Sequence, residues 1–91
     1  MEADPILRLP DVVRIMGRRK TAIYGDVKAA VLTKPVPLGG RSVGWPLSEI
    51  DAVNRARVAG QSDKELRALV GLLHAERANA LERIKNRLAG R

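Results

Sequence analysis

Cysteine and phenylalanine are absent from this 91-residue sequence, and tryptophan, tyrosine and histidine each occur once. Without cysteine, the chain can form neither a disulfide framework nor a thiolate metal site. Without phenylalanine, we expect Trp45 and the aliphatic side chains to build a small core. A single histidine, His74, that lacks cysteine partners is weak evidence for a metal site. We therefore expect neither a metal nor a cofactor.

Long apolar runs are also missing. The first residues carry Glu2 and Asp4 and do not resemble a secretory signal, and no stretch reaches the roughly 18 apolar residues of a membrane span. We expect a cytoplasmic protein that associates with the nucleoid and does not bind membranes. The serines and threonines have no nearby base, and no glycine-rich phosphate loop is present. We therefore expect neither an enzyme nor a small-molecule substrate.

Positive charge is abundant. The formal net charge is +7 and the pI is about 10.8. Between Arg14 and Arg41, seven of the eight charged side chains are positive, and Asp26 is the single acid. So dense a positive field on a small domain indicates a polyanionic partner such as double-stranded DNA.

Two short helices are predicted on either side of Gly17. Leu9, Val12, Val13 and Met16 fall at the spacing of one helical face. Gly17 suits the left-handed end of that helix. A second apolar stripe contains Ile23, Val27, Ala30 and Val31, and we expect the second helix to include all four. A helix, a glycine-containing turn and a helix are typical of the helix–turn–helix motif.

A β-hairpin is predicted after the second helix. Pro35 and Pro37 exclude a helix there, and they suit an edge strand because proline donates no ladder hydrogen bond. Strands at 36–38 and 42–45 would flank a turn at Gly39, Gly40 and Arg41. This hairpin resembles the wing of a winged helix–turn–helix domain.

Two more helices are predicted in the second half. Ser48 is expected to cap the third helix with help from Asp51, and Gly60 to end it. Residues 62–65 read Ser-Asp-Lys-Glu, a full capping box for a fourth helix that runs to about Ala89. We expect a DNA-binding domain at 6–60 and a separate helical element at 62–89.

The candidate DNA contacts lie on the second helix and on the hairpin. Three cations at the start of a helix oppose its dipole, and a bound phosphate would relieve that conflict. Lys20, Thr21 or Arg19 would read bases, Tyr24 would either donate to a phosphate or pack under the wing, and Arg41 would contact a groove or stay solvated. The full set of candidates is Arg18, Arg19, Lys20, Thr21, Tyr24, Lys28, Lys34, Arg41 and Ser42.

The fourth helix carries a seam with the spacing of a coiled coil. Its positions alternate in steps of four and three, with Arg77 as the polar exception. We expect this seam to form a homodimer, to pack on its own domain or to bind another protein. Arg77 would reach Glu76 or Glu82 of a second copy. The seam consists of Leu66, Val70, Leu73, Arg77, Ala80 and Ile84.

Three segments resemble the AlpA family of phage-type regulators. They are residues 7–12 (LRLPDV), 21–24 (TAIY) and, most specifically, 34–45 (KPVPLGGRSVGW). The family is similar to excisionases and to the winged helix–turn–helix domain of MerR-type proteins. The resemblance covers about residues 6–60 and implies prophage regulation, with control of recombination direction as a related activity.

The predicted fold is therefore mainly α with a small β-hairpin wing, followed by a long helix. The predicted function is sequence-specific DNA binding by a prophage-type transcriptional regulator or excisionase. The alternative is a protein-interaction adaptor that uses its last helix to bind a partner, while its basic face tethers it to DNA without sequence preference.

Overall fold

The computed structural model describes residues 3–90 and confirms the predicted fold class, which is mainly helical with a small antiparallel sheet. Its arrangement is consistent with a winged helix–turn–helix. In chain order, the elements are β1 (Ile6–Arg8), α1 (Leu9–Met16), α2 (Lys20–Lys28), β2 (Val36–Pro37), β3 (Val43–Pro46), α3 (Leu47–Val58) and α4 (Asp63–Ala89).

The sheet has three strands in the order β1-β3-β2, and both pairings are antiparallel. The strand β2 is one residue shorter than predicted, and β3 has the predicted length but is shifted by one residue toward the C-terminus. The strand β2 lies at the edge, as its proline requires. The strand β1 was not predicted. It has three residues and runs directly into α1, so no alternation of apolar and polar positions marks it.

Trp45 on the central strand lies at the middle of the core and is fully buried. Its indole N–H donates to the carbonyl oxygen of Thr33 at 2.8 Å, which fixes the segment that leads into the wing. Removing each such apolar side chain from water stabilises the fold by roughly 1.5–3 kcal/mol. The core comprises Val12, Ile23, Leu32, Trp45, Ile50 and Val53.

Gly44 lets β1 approach the hairpin closely. A Cβ atom at this position would lie 2.5 Å from Cγ2 of Ile6 and 2.8 Å from the carbonyl oxygen of Leu7. Real Cβ atoms do not come so near, so a larger residue here would push β1 off the sheet. The glycine therefore supports the third strand that the sequence pattern did not reveal.

The helix–turn–helix forms as predicted, except at the end of α2. Gly17 ends α1 in the left-handed conformation. The expected extension of α2 through Ala30 and Val31 is wrong, because the helix ends at Lys28. The backbone N–H of Ala30 donates to the carbonyl oxygen of Val27, and that of Val31 donates to the backbone carbonyl oxygen of Asp26, each at 3.0 Å. The φ angle of Ala30 is +63°. This Schellman-type turn directs Val31 into the core as the first buried residue after the helix.

The expected capping of α3 by Ser48 is also wrong. Because α3 begins at Leu47, directly after Pro46, Ser48 already lies within its first turn. Asp4 caps the helix instead. Its Oδ1 accepts the backbone N–H of Ser48 at 2.9 Å, and its Oδ2 accepts the hydroxyl at 2.6 Å. Asp51 forms an ion pair with Arg55 at 2.8 Å.

The capping box that starts α4 is confirmed. The Ser62 hydroxyl accepts the N–H of Glu65 at 3.2 Å, and the Glu65 carboxylate accepts the N–H of Ser62 at 3.0 Å. The backbone N–H of Ser62, and to a smaller extent its hydroxyl, favour the ionised carboxylate and lower the pKa of Glu65. The helix continues for 27 residues, which corresponds to about 40 Å.

The first half of α4 packs against the rest of the chain. Leu66 and Val70 are buried, and Leu69 and Leu73 contact the core at its edge. The guanidinium of Arg67 donates to the carbonyl oxygen of Ala29 at 3.2 Å, so α4 also holds the segment that follows α2. These side chains therefore serve the fold of a single chain.

Arg77 joins α4 to α3 and to the base of the wing. Its Nε donates to Oε2 of Glu49 at 2.7 Å, and its Nη2 donates to Oε1 at 2.6 Å and to the carbonyl oxygen of Lys34 at 2.7 Å. Glu49 is buried, with 5% of its surface exposed. The guanidinium expected to reach an acid of a second copy is therefore bound within its own chain.

Replacing Arg77 with methionine should lower the free energy of unfolding by about 2–3 kcal/mol, because the buried Glu49 carboxylate would lose its counter-charge. The double variant Glu49→Leu, Arg77→Met should regain most of that loss, since it leaves no unpaired charge. Urea unfolding followed by circular dichroism measures both values. Arg83→Met, which breaks only a surface contact of 3.6 Å with Glu76, is the matched control. Equal stability of Arg77→Met and Arg83→Met would contradict the assignment.

His74 gives the attachment of α4 a dependence on pH. Its Nε2 accepts the backbone N–H of Lys34 at 3.0 Å, which requires the neutral ring. Burial, followed by the charge of Arg77, lowers the pKa of His74 from 6.5. As pH falls, the unfolded chain therefore takes up the proton before the folded chain does, and the free energy of unfolding decreases.

The His74→Gln variant should lack that decrease over about pH 7 to pH 5, where an ordinary histidine titrates. Because the sequence has one histidine, the difference between the two chains isolates its effect. Urea unfolding at a series of pH values gives the two profiles. Parallel profiles would show that His74 does not couple protonation to folding.

Candidate nucleic-acid interface

One face of α2 is polar and exposed. Lys20, Thr21 and Lys28 are exposed, while Ile23 on the opposite face is fully buried and Val27 is half-buried. This division follows the helical period, since the apolar residues are four positions apart. The exposed face has a lysine at either end and a hydroxyl between them, which are groups that bind phosphates and base edges.

The first turn of α2 has an unusual charge distribution. Arg19 occupies the N-cap without a side-chain cap, Lys20 follows, and the first turn contains no acid. Cations at this end oppose the helix dipole, so the folded chain gains nothing from them as caps. A bound anion would satisfy both the free N–H groups and the two exposed cations.

The wing holds Arg41 at its tip. The amide of Leu38 donates to the carbonyl oxygen of Ser42 at 2.8 Å, and the amide of Ser42 donates to that of Gly39 at 3.1 Å. Gly39 and Gly40 have φ values of +101° and +55°, which residues with a Cβ atom rarely adopt. This tight turn leaves Arg41 exposed, next to the half-buried Ser42.

Tyr24 connects α2 with the wing. Its ring lies 6.2 Å from that of Trp45, at an interplanar angle of 55°, and the residue is still 39% exposed. The two roles considered for Tyr24 are therefore compatible, because one part of the ring packs on the core while the rest faces solvent. Tyr24 lines one surface groove together with Arg41 and Ser42.

Arg18 is held by an acid of the same chain. Its Nη2 donates to Oδ1 of Asp26 at 3.1 Å, while its Nε lies 2.7 Å from Oδ2 without hydrogen-bond geometry. Asp26 is buried, and Arg57 of α3 lies 3.4 Å from the same carboxylate. Arg18 therefore neutralises a buried charge and is not a freely available cation.

Lys34 lies at the base of the wing and is fixed through its backbone. Its backbone N–H donates to His74 and its carbonyl oxygen accepts from Arg77, while its side chain remains exposed.

The predicted seam on α4 has two parts. The seam residues from Leu66 to Arg77 contact the rest of the same chain, whereas Ala80 and Ile84 are exposed.

Sequence reasoning missed Arg8. It lies at the end of β1, where its Nη2 donates to the Ser42 hydroxyl at 3.3 Å, and it lines the same groove as Tyr24 and Arg41. The pairing of Arg8 with Gly44 across the sheet brings it there. Only recognition of β1 would have revealed this placement.

Other kinds of site find no support in the part of the chain that the structure describes. Residues 3–90 contain no group of three or more histidine, cysteine, aspartate or glutamate side chains arranged to hold a metal. None of the helices in that range is both long enough and apolar enough to span a membrane.

Comparison with known proteins identifies the family. The family model described as "Prophage CP4-57 regulatory protein (AlpA)" matches residues 5–55. An uncharacterized protein of Enterobacteria phage P4, ORF88, is 34% identical over 55 residues, which cover 60% of this chain and 62% of that protein. The chain thus spans less than two thirds of that relative's length. No solved structure matches.

The matched segment runs from β1 into α3 and includes the helix–turn–helix and the wing. It leaves α4 outside. Because the family model matches more than half of the sequence, this chain belongs to the AlpA family of prophage regulatory proteins.

Proposed function

We propose that this protein is a prophage-type regulator that binds double-stranded DNA in a sequence-specific manner. The observation that carries the proposal is the shared surface of α2 and the wing, where Tyr24 of the helix and Arg41 of the hairpin line one groove. The major groove is about 12 Å wide and admits a helix. With α2 in the major groove, the wing would lie over the adjacent phosphates.

The exposed groups of this surface divide into two roles. Lys20 and Thr21 lie in the first turn of α2, the part of a recognition helix that contacts base edges in helix–turn–helix proteins. Lys28 and Lys34 lie further along and are exposed, so they suit phosphate contacts. Arg19 belongs with the first group by position. Arg18 is paired with Asp26 and therefore serves the fold of α2.

Regulation of transcription and control of excision both require this DNA-binding step. Membership in a prophage regulatory family favours a regulator. The excisionase remains the second candidate, because the family resembles excisionases. An integrase-dependent excision reaction distinguishes the two roles. Stimulation of excision by the purified protein would identify a recombination directionality factor, whereas altered transcription alone would identify a regulator.

Alanine variants of Lys20 and Thr21 should reduce discrimination between a preferred and an unrelated duplex by about 1–3 kcal/mol each, because each removes a base contact. Competition binding on the two duplexes measures the ratio of affinities. Lys28→Ala is the matched control, since loss of a phosphate contact should weaken binding to both duplexes equally. If Lys20→Ala and Thr21→Ala keep the wild-type ratio, α2 does not read the sequence.

The second half of α4 suggests a further contact. Leu81, Ile84 and Leu88 are 49–60% exposed and follow each other at steps of three and four. This is the spacing of a coiled-coil stripe. We further propose that a second copy of the chain covers it, which would place two copies of α2 on one duplex and raise the apparent affinity.

The variant Ile84→Gln, Leu88→Gln should be monomeric where the wild type is a dimer, because it removes the apolar stripe. Both residues are exposed within one chain, so the free energy of unfolding at low protein concentration should not change. Sedimentation equilibrium at tens of micromolar gives the mass. A monomeric wild type would rule out the dimer and leave the stripe for a different protein, as the adaptor alternative requires.

A further inference from the structure

The groove between β1, the start of α1 and the wing contains two arginines and no acid among the described residues that line it. Arg8 and Arg41 provide the charge, and Tyr24 and Ser42 provide hydroxyl groups. Its volume is about 280 Å³. Since a water molecule takes up roughly 30 Å³ of liquid, the groove has room for a phosphate group and part of its hydration.

The two arginines reach this groove from distant parts of the sequence. Arg8 ends β1, whereas Arg41 lies at the tip of the wing. The pairing of β1 with β3 and the hydrogen bond from Arg8 to Ser42 bring them together. Two like charges on one small groove repel each other, and the folded chain provides no carboxylate there to neutralise them.

We propose that Arg8 and Arg41 together bind a single phosphate of the DNA backbone, with Tyr24 and Ser42 donating hydrogen bonds to it. The inference rests on the proposed DNA-binding function and adds a residue and a specific contact to it. Arginine suits this role because its planar guanidinium binds phosphate oxygens through two parallel hydrogen bonds. The shared phosphate would fix the wing relative to α2 on the duplex.

The salt dependence of binding tests this arrangement. The slope of log affinity against log salt concentration is proportional to the number of phosphates neutralised, at about 0.9 for each. With one phosphate between two arginines, Arg8→Gln and Arg41→Gln should each weaken binding about tenfold and leave the slope nearly unchanged. The double variant should lower the slope by about one, and its loss of affinity should differ from the sum of the two single losses.

Fluorescence anisotropy on one labelled duplex gives both quantities. Arg8 is an exposed strand residue, and Arg8→Gln keeps a side-chain N–H donor, so the variant should fold. Urea unfolding checks this. Ser42→Ala removes the hydroxyl that Arg8 contacts and that would donate to the phosphate, so it should weaken binding without changing the slope. Arg55→Gln, which replaces an exposed arginine on α3 that pairs with Asp51, is the control and should bind as the wild type does.

A slope that falls by about one in each single variant, and by about two in the double variant, would mean separate phosphates and would overturn the shared contact. Equal effects of Arg8→Gln and Ser42→Ala, with an unchanged slope even in the double variant, would mean that Arg8 only supports the wing. If the wild type binds no duplex at all, the proposed function itself is wrong.

Discussion

Trp45 is the residue on which the arrangement of this protein depends. It is fully buried on the central strand, its indole N–H donates to Thr33, and its ring contacts that of Tyr24. The first contact fixes the segment that leads into the wing, and the second fixes α2 against the sheet. In a chain without phenylalanine, no other side chain has the area to serve both elements.

Buried ion pairs divide the positive charge of the chain into two groups. Asp26 holds Arg18 and Arg57 behind α2, and Glu49 holds Arg77 beneath α4. A buried carboxylate needs a counter-charge, so these arginines stabilise the fold. Of the cations left in solvent, Arg14, Arg55, Arg83 and Lys85 pair with acids on their own helices. Another exposed group, which lies on α2 and on or beside the wing, forms the proposed DNA surface: Arg19, Lys20, Lys28, Lys34 and Arg41.

The predictable part of the fold is the part with a periodic pattern or a local cap. The stripe of α1 with Gly17, the capping box of α4 and the hairpin with its prolines each act within a few neighbouring residues. The end of α2 was missed because burial of Val31 and Leu32 overrides the apolar period, with Ala30 taking a conformation usually left to glycine. Capping of α3 by Asp4 was missed because it is a contact between distant residues.

The candidate site shows the same limit. The exposed face of α2 follows from its helical period, so Lys20, Thr21 and Lys28 were predictable. Arg8 was not, since only the register of β1 on β3 brings it to the wing. The role of Arg77 in linking α4 to Glu49 was hidden for a similar reason, because a charged residue in an apolar seam suggests a partner without showing which chain provides it.

Selection of bound duplexes from a random DNA pool, followed by sequencing, is the most direct test of the account. The surface formed by α2 and the wing predicts that the wild-type chain enriches one short motif over successive rounds, with a preference for the positions that α2 contacts. Binding to the pool without enrichment of any motif would contradict sequence-specific recognition, and it would support a protein that uses its charge only to stay on DNA.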